Sequence, residues 1–178
     1  MLALVTPFAR LWLRFLRYPW SRLRRGVFER RWADAPLPRA TSIEDVSALL
    51  SEIEWVADGP LHLFDAVSRP ASTWARRRDD CDGFASVAAR LLEGMSPATR
   101  PVLVTVVTWP LAKSHTVCAF RDLDDGSWRT FDNARLLEDR FASVDDVARR
   151  VAQRGARVLC WDVVEPRELR RLRYSRDL

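Results

Sequence analysis

No CxxC or HxxxH spacing occurs anywhere in this sequence, and nothing repeats at a fixed period. Its three cysteines, Cys81, Cys118 and Cys160, lie too far apart for a zinc site. Their odd number argues against a disulfide framework and for a reducing, cytoplasmic compartment. The only histidines are His62 and His115, and Lys113 is the only lysine. Uninterrupted apolar runs are also missing. Residues 2–20 read LALVTPFARLWLRFLRYPW, and Arg10, Arg14 and Arg17 break the roughly 20-residue apolar stretch that a membrane span needs. No metal and no cofactor is expected from this inventory.

What charge there is divides unevenly. Residues 1–31 carry eight arginines against Glu29 alone, and residues 166–178 carry five against Glu168 and Asp177. Residues 32–165 hold 16 basic and 21 acidic side chains. The basic ends flank an acidic middle, so a basic stripe on the folded face, the usual mark of nucleic-acid binding, is not expected. This division suggests three parts: a basic amphipathic segment 1–35, a domain 36–165 after the Pro36-Leu37-Pro38 linker, and a basic tail 166–178. In the first part Arg10, Arg14 and Arg17 fall on one helical face, with Leu11, Trp12, Phe15 and Leu16 over much of the rest. Such a helix either lies on a membrane surface, touching it through residues 8–31, or packs on its own domain with the arginines outward. A secretory signal is a third option, hinted at only by Ala33-Asp34-Ala35.

Within the domain, Thr41 or Ser42 can cap a helix that carries Val46, Leu49, Leu50 and Ile53. Residues 56–73 read mainly as loop with short helical turns. Residues 81–93 repeat Phe84, Val87, Ala88, Leu91 and Leu92 at helical spacing, with Asp79 or Asp80 as the cap and Gly94 as the stop. Residues 102–108, 115–121, 127–132 and 157–164 are strands, and 143–154 is a helix capped by Ser143. Helices first and antiparallel strands after them make an α+β fold.

The residues that carry chemistry converge on one arrangement. A thiolate is the reactive form of cysteine, and a helix N-terminus or a nearby imidazolium favours it. Cys81 opens the clearest helix, whereas Cys118 and Cys160 sit mid-strand among apolar neighbours. His115 begins a strand, which holds an imidazole more rigidly than the irregular stretch around His62. Asp132 ends the next strand and can orient the ring. That pairing depends on the hairpin: a four-residue loop, 122–125, sets Asp132 opposite His115, a five-residue loop sets it beside Thr116, and a two-residue loop separates them by about 13 Å. Asp79, Asp80 and Asp82 around Cys81 oppose a thiolate. An oxyanion would fall to the Cys81 N–H, with Trp74, Asp80 and Asn133 as further candidates for contact with it or with substrate.

The strings DDCDGFASVAARLL, SHTVCAF and WRTFDNARL resemble the transglutaminase-like cysteine peptidases of bacteria and phages. RPASTWARRR is similar to the segment that precedes their cysteine. The likeness covers roughly residues 50–135. Asp79 stands where that family has Gly, and Gly83 where it often has Asp. The resemblance implies a papain/transglutaminase-like fold, a nucleophile helix on an antiparallel sheet of about three to five strands. It implies Cys81 as nucleophile, His115 as base and Asp132 as orienter in a hydrolase or acyl transferase that cuts an amide of a protein or peptide through a thioester. DCDGF also resembles the Asp-Cys-Ser-Gly-Phe motif of cell-wall endopeptidases, and an inactive binding module is the other alternative.

Overall fold

Two of the N-terminal arginines, Arg17 and Arg25, are buried against the domain. The structure, a computed structural model, describes residues 2–57, 66–153, 155 and 157–178, so His62 lies outside the described residues. Residues 2–27 form a continuous helical run: α1 (Leu2–Leu11), one π turn (Trp12–Leu16) and α2 (Arg17–Val27). Its inner face is a row at every fourth position, Ala9, Leu13, Arg17, Ser21 and Arg25, all buried. A spacing of four drifts by about 40° per step around an ideal α-helix. The wider π turn reverses part of that drift and keeps the row against the domain. Leu11, Phe15 and Leu16 face out. The helix therefore packs on its own domain, and the three arginines expected to face outward divide: Arg14 is exposed, Arg10 half-buried and Arg17 buried.

The remaining elements follow the local signals closely. Ser42 caps α3 (Ile43–Leu50) in a capping box with Asp45, and Ser143 caps α6 (Val144–Ala152) in the same way with Asp146. Proline at the first turn starts α4 (Pro70–Arg76), within the stretch expected to be mainly loop. Two-residue strands β1 (Glu54–Trp55) and β2 (Arg78–Asp79) pair in parallel and lead into α5 (Cys81–Met95). Gly94 does not end α5; the chain leaves the helix at Ser96, whose extended backbone also starts the next turn.

The main sheet has six strands in the order β6-β5-β4-β3-β7-β8, all antiparallel. They are β3 (Val102–Trp109), β4 (His115–Arg121), β5 (Trp128–Asp132), β6 (Arg135–Leu136), β7 (Arg157–Val164) and β8 (Arg171–Ser175). The chain is thus α+β with an antiparallel sheet, one strand larger than the upper end of the expectation. The additional strands are the two-residue β6 and the arginine-rich β8. Both are edge strands, where short length and charge discourage pairing with other chains: β6 has two residues, and the alternation of β8, RLRYS, is short and set among arginines. Strand β8 lies in the stretch set apart as a basic tail, and Ala9, Leu13 and Tyr18 of the N-terminal segment belong to the main core. Both ends join the folded body.

Alternation divides the core in two. Leu103, Val107, Cys118, Phe120 and Phe131 face α5, whereas Val104, Val106, Val117 and Ala119 face Val147, Ala148 and Val151 of α6. The buried residues of α5 include Gly83, Ala85, Ala88 and Ala89, small side chains that let that helix lie close to its neighbours.

A buried polar chain ties the N-terminal helix to both halves of the sheet. The Arg17 guanidinium pairs with the Asp82 carboxylate and donates to Thr105 Oγ1 at 2.8 Å. The neighbouring Tyr18 hydroxyl donates to Asp162 Oδ1 at 2.7 Å, and Arg171 Nε reaches Asp162 Oδ2 at 3.3 Å. Arg171 in turn donates to the carbonyls of Leu13 and Arg14. Burial pushes Asp162 up from 3.8 to about 6, against the attraction of Arg17 and the hydrogen bond from Tyr18.

Two outcomes are expected. Arg17→Met leaves the Asp82 charge buried without its counter-ion and should lower stability by about 3–5 kcal/mol in urea unfolding. For Asp162 the folded value exceeds the unfolded one, so its contribution is fully present below about pH 4 and is lost as pH rises through about 6. The urea stability of the wild type should therefore fall by about 3 kcal/mol over that window relative to Asp162→Asn, which cannot ionise. Parallel pH curves for the two proteins would rule out a raised Asp162 pKa in the folded state.

Candidate active site

Cys81 is the first residue of α5, and the sequence around it explains why the helix begins there. The Asp80 backbone is extended, its side chain accepts the Asp82 N–H at 3.0 Å, and its carbonyl accepts the Phe84 N–H. Asp80 is therefore the N-cap, and Cys81 occupies the end of the helix where unpaired N–H groups favour negative charge. Cys81 is half-buried, whereas Cys118 and Cys160 are buried. Burial pushes the Cys118 thiol far up, and burial followed by the Asp162 charge pushes Cys160 up to about 12. Of the three, only Cys81 combines access with a charged setting.

The three aspartates beside Cys81 are all engaged. Asp79 accepts from Thr73 Oγ1 at 2.5 Å and from Arg76 at 2.8 Å, and its other oxygen accepts the Asp80 N–H. Asp82 is paired with Arg17. Asp80 is occupied as the cap. Two guanidinium groups thus offset the negative charge that the sequence placed around the sulfur.

Asp79 also limits what position 83 can hold. A Cβ built on Gly83 would lie 2.3 Å from Asp79 Cγ and 2.4 Å from Asp79 Cβ. The Asp79 side chain fills the space that a residue at 83 would need, so an acidic residue at 79 requires glycine at 83.

His115 starts β4, paired with Val106 of β3. Its Nε2 lies 2.7 Å from Asp132 Oδ1, with the ring almost fully buried and the carboxylate mostly so. Six residues, 122–127, separate β4 from β5, and Arg121 pairs with Trp128. The expectations were four or five. Asp122 accepts from Arg129, Arg140 and the Asp124 and Gly126 N–H groups, which holds this wider loop closed. The observed register carries Asp132 to the level of Val117, so His115 and Asp132 are diagonal neighbours on one face, within reach of their side chains.

Cys81 and His115 line the same small cavity of about 50 Å³, together with Asp80, Asp82, Ser114 and Thr116. The wall facing them comes from the N-terminal helix: Ala9, Trp12, Leu13 and Arg17. No protein-family model matches the chain, and no curated protein does. The geometry alone therefore identifies this cavity as the candidate site. Because Nε2 is taken by Asp132, Nδ1 is the ring atom left to serve a nucleophile.

The other candidates divide. Asp80 lines the cavity. Trp74 does not: it lies in the core on α4, with the Arg77 guanidinium stacked 3.5 Å from its ring. Asn133 takes the left-handed conformation (φ 53°) in the tight turn from β5 to β6 and borders a different hollow with Asp132, Arg135 and Arg150. Asparagine tolerates that backbone, so the Asp-Asn pair shapes the turn that ends β5. Sequence reasoning missed Arg17, Thr105 and Thr116. Arg17 appeared as one arginine in a basic segment, and no local signal marks it as the partner of a carboxylate 65 residues away.

Gly83→Ala is expected to destabilise the protein by about 1–3 kcal/mol through overpacking against Asp79. In an Asp79→Gly background the same substitution should lose that penalty and gain about 1 kcal/mol from helix propensity. A double-mutant cycle by chemical denaturation measures the coupling. Additive effects would show that the two positions do not share the space.

Proposed function

We propose that the protein is a cysteine-dependent amide hydrolase or acyl transferase of the papain/transglutaminase-like kind, with Cys81 as nucleophile, His115 as acid and base, and Asp132 as orienter. The observation that supports this best is the 2.7 Å His115 Nε2–Asp132 Oδ1 contact at the cavity that Cys81 also lines. Its chemistry follows from the residues. The Cys81 sulfur, its proton passed to His115 Nδ1, attacks the carbonyl carbon of an amide. The developing oxyanion falls to N–H groups at the start of α5. When the C–N bond breaks, His115 returns the proton to the leaving amine, and a thioester remains on Cys81. Water or an acceptor amine, deprotonated by His115, then attacks the thioester, releasing acid or new amide and restoring the thiol. Asp132 holds the ring in one tautomer and stabilises the imidazolium between the steps. A peptide or protein side-chain amide is the substrate class proposed.

The smallness of the cavity favours a second reading, a binding module that keeps the arrangement without turnover: about 50 Å³ is well below the few hundred Å³ of ordinary ligand sites. Iodoacetamide labelling followed by mass spectrometry separates the two. In the enzyme, Cys81 should label rapidly at pH 7, well below the ordinary thiol value of about 8.5. His115→Ala should slow this about tenfold or more and Asp132→Asn by less, with Cys118 and Cys160 inert in the folded protein. A Cys81 that labels like a free thiol, with no response to His115→Ala, would reject the catalytic reading.

A further inference from the structure

The N-terminal helix buries polar side chains beside its apolar core contacts and leaves large apolar ones outside. Its polar residues Arg17, Ser21 and Arg25 are buried against the domain, and Phe8, Leu11, Phe15, Trp20, Leu23 and Val27 are exposed along its outer side. Phe8, Leu11 and Phe15 stand at i, i+3 and i+7 in the first part, and Trp20, Leu23 and Val27 repeat that spacing in the second, so the exposed residues form a stripe. The run 2–27 is about 39 Å long at helical rise, which makes this a larger apolar surface than scattered exposed residues produce.

Its borders are basic. Arg10, Arg14 and Arg176 surround a hollow next to Leu11 and Phe15. Arg14 lies over the Phe15 and Tyr174 rings, holding a charged group beside the stripe. Arg30 and Arg31 follow the end of the helix and are exposed, whereas Glu29, the one acid among residues 1–31, is buried and bonded to the Arg69 N–H at 2.6 Å. The surface therefore combines an apolar ridge with an excess of positive charge.

We infer that this face docks on an anionic lipid surface, with the helix lying in the plane of the interface. Charge decides the occupant. A twofold contact with a second copy would set the same arginines against each other, which costs binding energy. Acidic headgroups supply the opposite sign, and each arginine near such a surface adds attraction. The aromatic residues on the ridge, Phe8, Phe15 and Trp20, suit the boundary between headgroups and chains. Among the described residues no helix is long and apolar enough to cross a membrane, so the contact is peripheral. The inward arginines, tied to Asp82 and to the carbonyls of Val67 and Ser68, hold the helix on the domain while its outer face is engaged. The inference stands independently of any chemistry at Cys81.

Sedimentation of the full-length protein with phosphatidylcholine vesicles, with and without added phosphatidylglycerol, tests it. The protein should pellet with the anionic vesicles and remain in solution with the neutral ones, and high salt should weaken the binding. Leu23→Glu/Val27→Glu should reduce binding about tenfold or more, and Arg14→Gln/Arg176→Gln should reduce it for anionic vesicles. These side chains are exposed, so urea midpoints should stay at the wild-type value and confirm that the fold is kept. No binding to anionic vesicles, or binding unchanged by Leu23→Glu/Val27→Glu, overturns the inference. A dimer in light scattering that the same glutamates dissociate, without vesicle binding, overturns it in favour of self-association.

Discussion

The contact between Arg17 and Asp82 is the interaction on which the rest of this structure depends. Both groups are buried, and neither charge is tolerable there without the other. Arg17 comes from the N-terminal helix and Asp82 from the first turn of α5, one residue beyond Cys81. The pair therefore does two things at once. It holds a helix rich in exposed apolar residues to the domain by its polar side, and it removes a negative charge from beside the candidate nucleophile. Thr105 and Thr116, on adjacent strands, complete the shell around the guanidinium and link it to the strand that begins with His115.

A second buried carboxylate, Asp162, extends this arrangement from Thr105 to the neighbouring strand β7 on the same face of the sheet. Tyr18 donates to one of its oxygens and Arg171 reaches the other, and Arg171 also binds the carbonyls of Leu13 and Arg14 in the π turn. The two ends of the chain, both basic in composition, meet at this point. Their arginines are in part internal counter-ions for acids of the acidic middle, so the uneven charge distribution along the sequence is partly neutralised inside the fold. The arginines left outside border the apolar stripe.

At the candidate site the Asp79 side chain occupies the volume that Gly83 leaves empty. Its carboxylate is neutralised by Arg76 and Thr73. The start of α5, and with it the position of Cys81, is thus set by Asp80 as cap and by a tightly filled space behind it. On the far side, Asp132 reaches His115 across a diagonal because the hairpin is wider than the shortest loops and closes around Asp122.

Local chemistry was legible in the sequence. Hydrophobic spacing and caps set α3, α5 and α6, because Ser42, Asp80 and Ser143 satisfy N–H groups within their own first turns. β-branched runs marked β3, β4 and β7 because those strands are buried on both faces. The order Cys81, His115, Asp132 could be read because each begins or ends an element that its neighbours define. What the sequence could not determine was anything set by a partner distant along the chain. Spacing shows which residues share a helical face but not which way the face turns, so the N-terminal helix was legible as a helix and its orientation was not. Strand β8 was hidden because its arginines suit an edge, and only pairing with β7 makes it a strand. Trp74 lies in the core because α4 turns it there, away from the cavity. The tertiary structure alone decided that Arg17 belongs to Asp82, because a buried charge must find its counter-ion in space and sequence distance places no limit on where that counter-ion comes from.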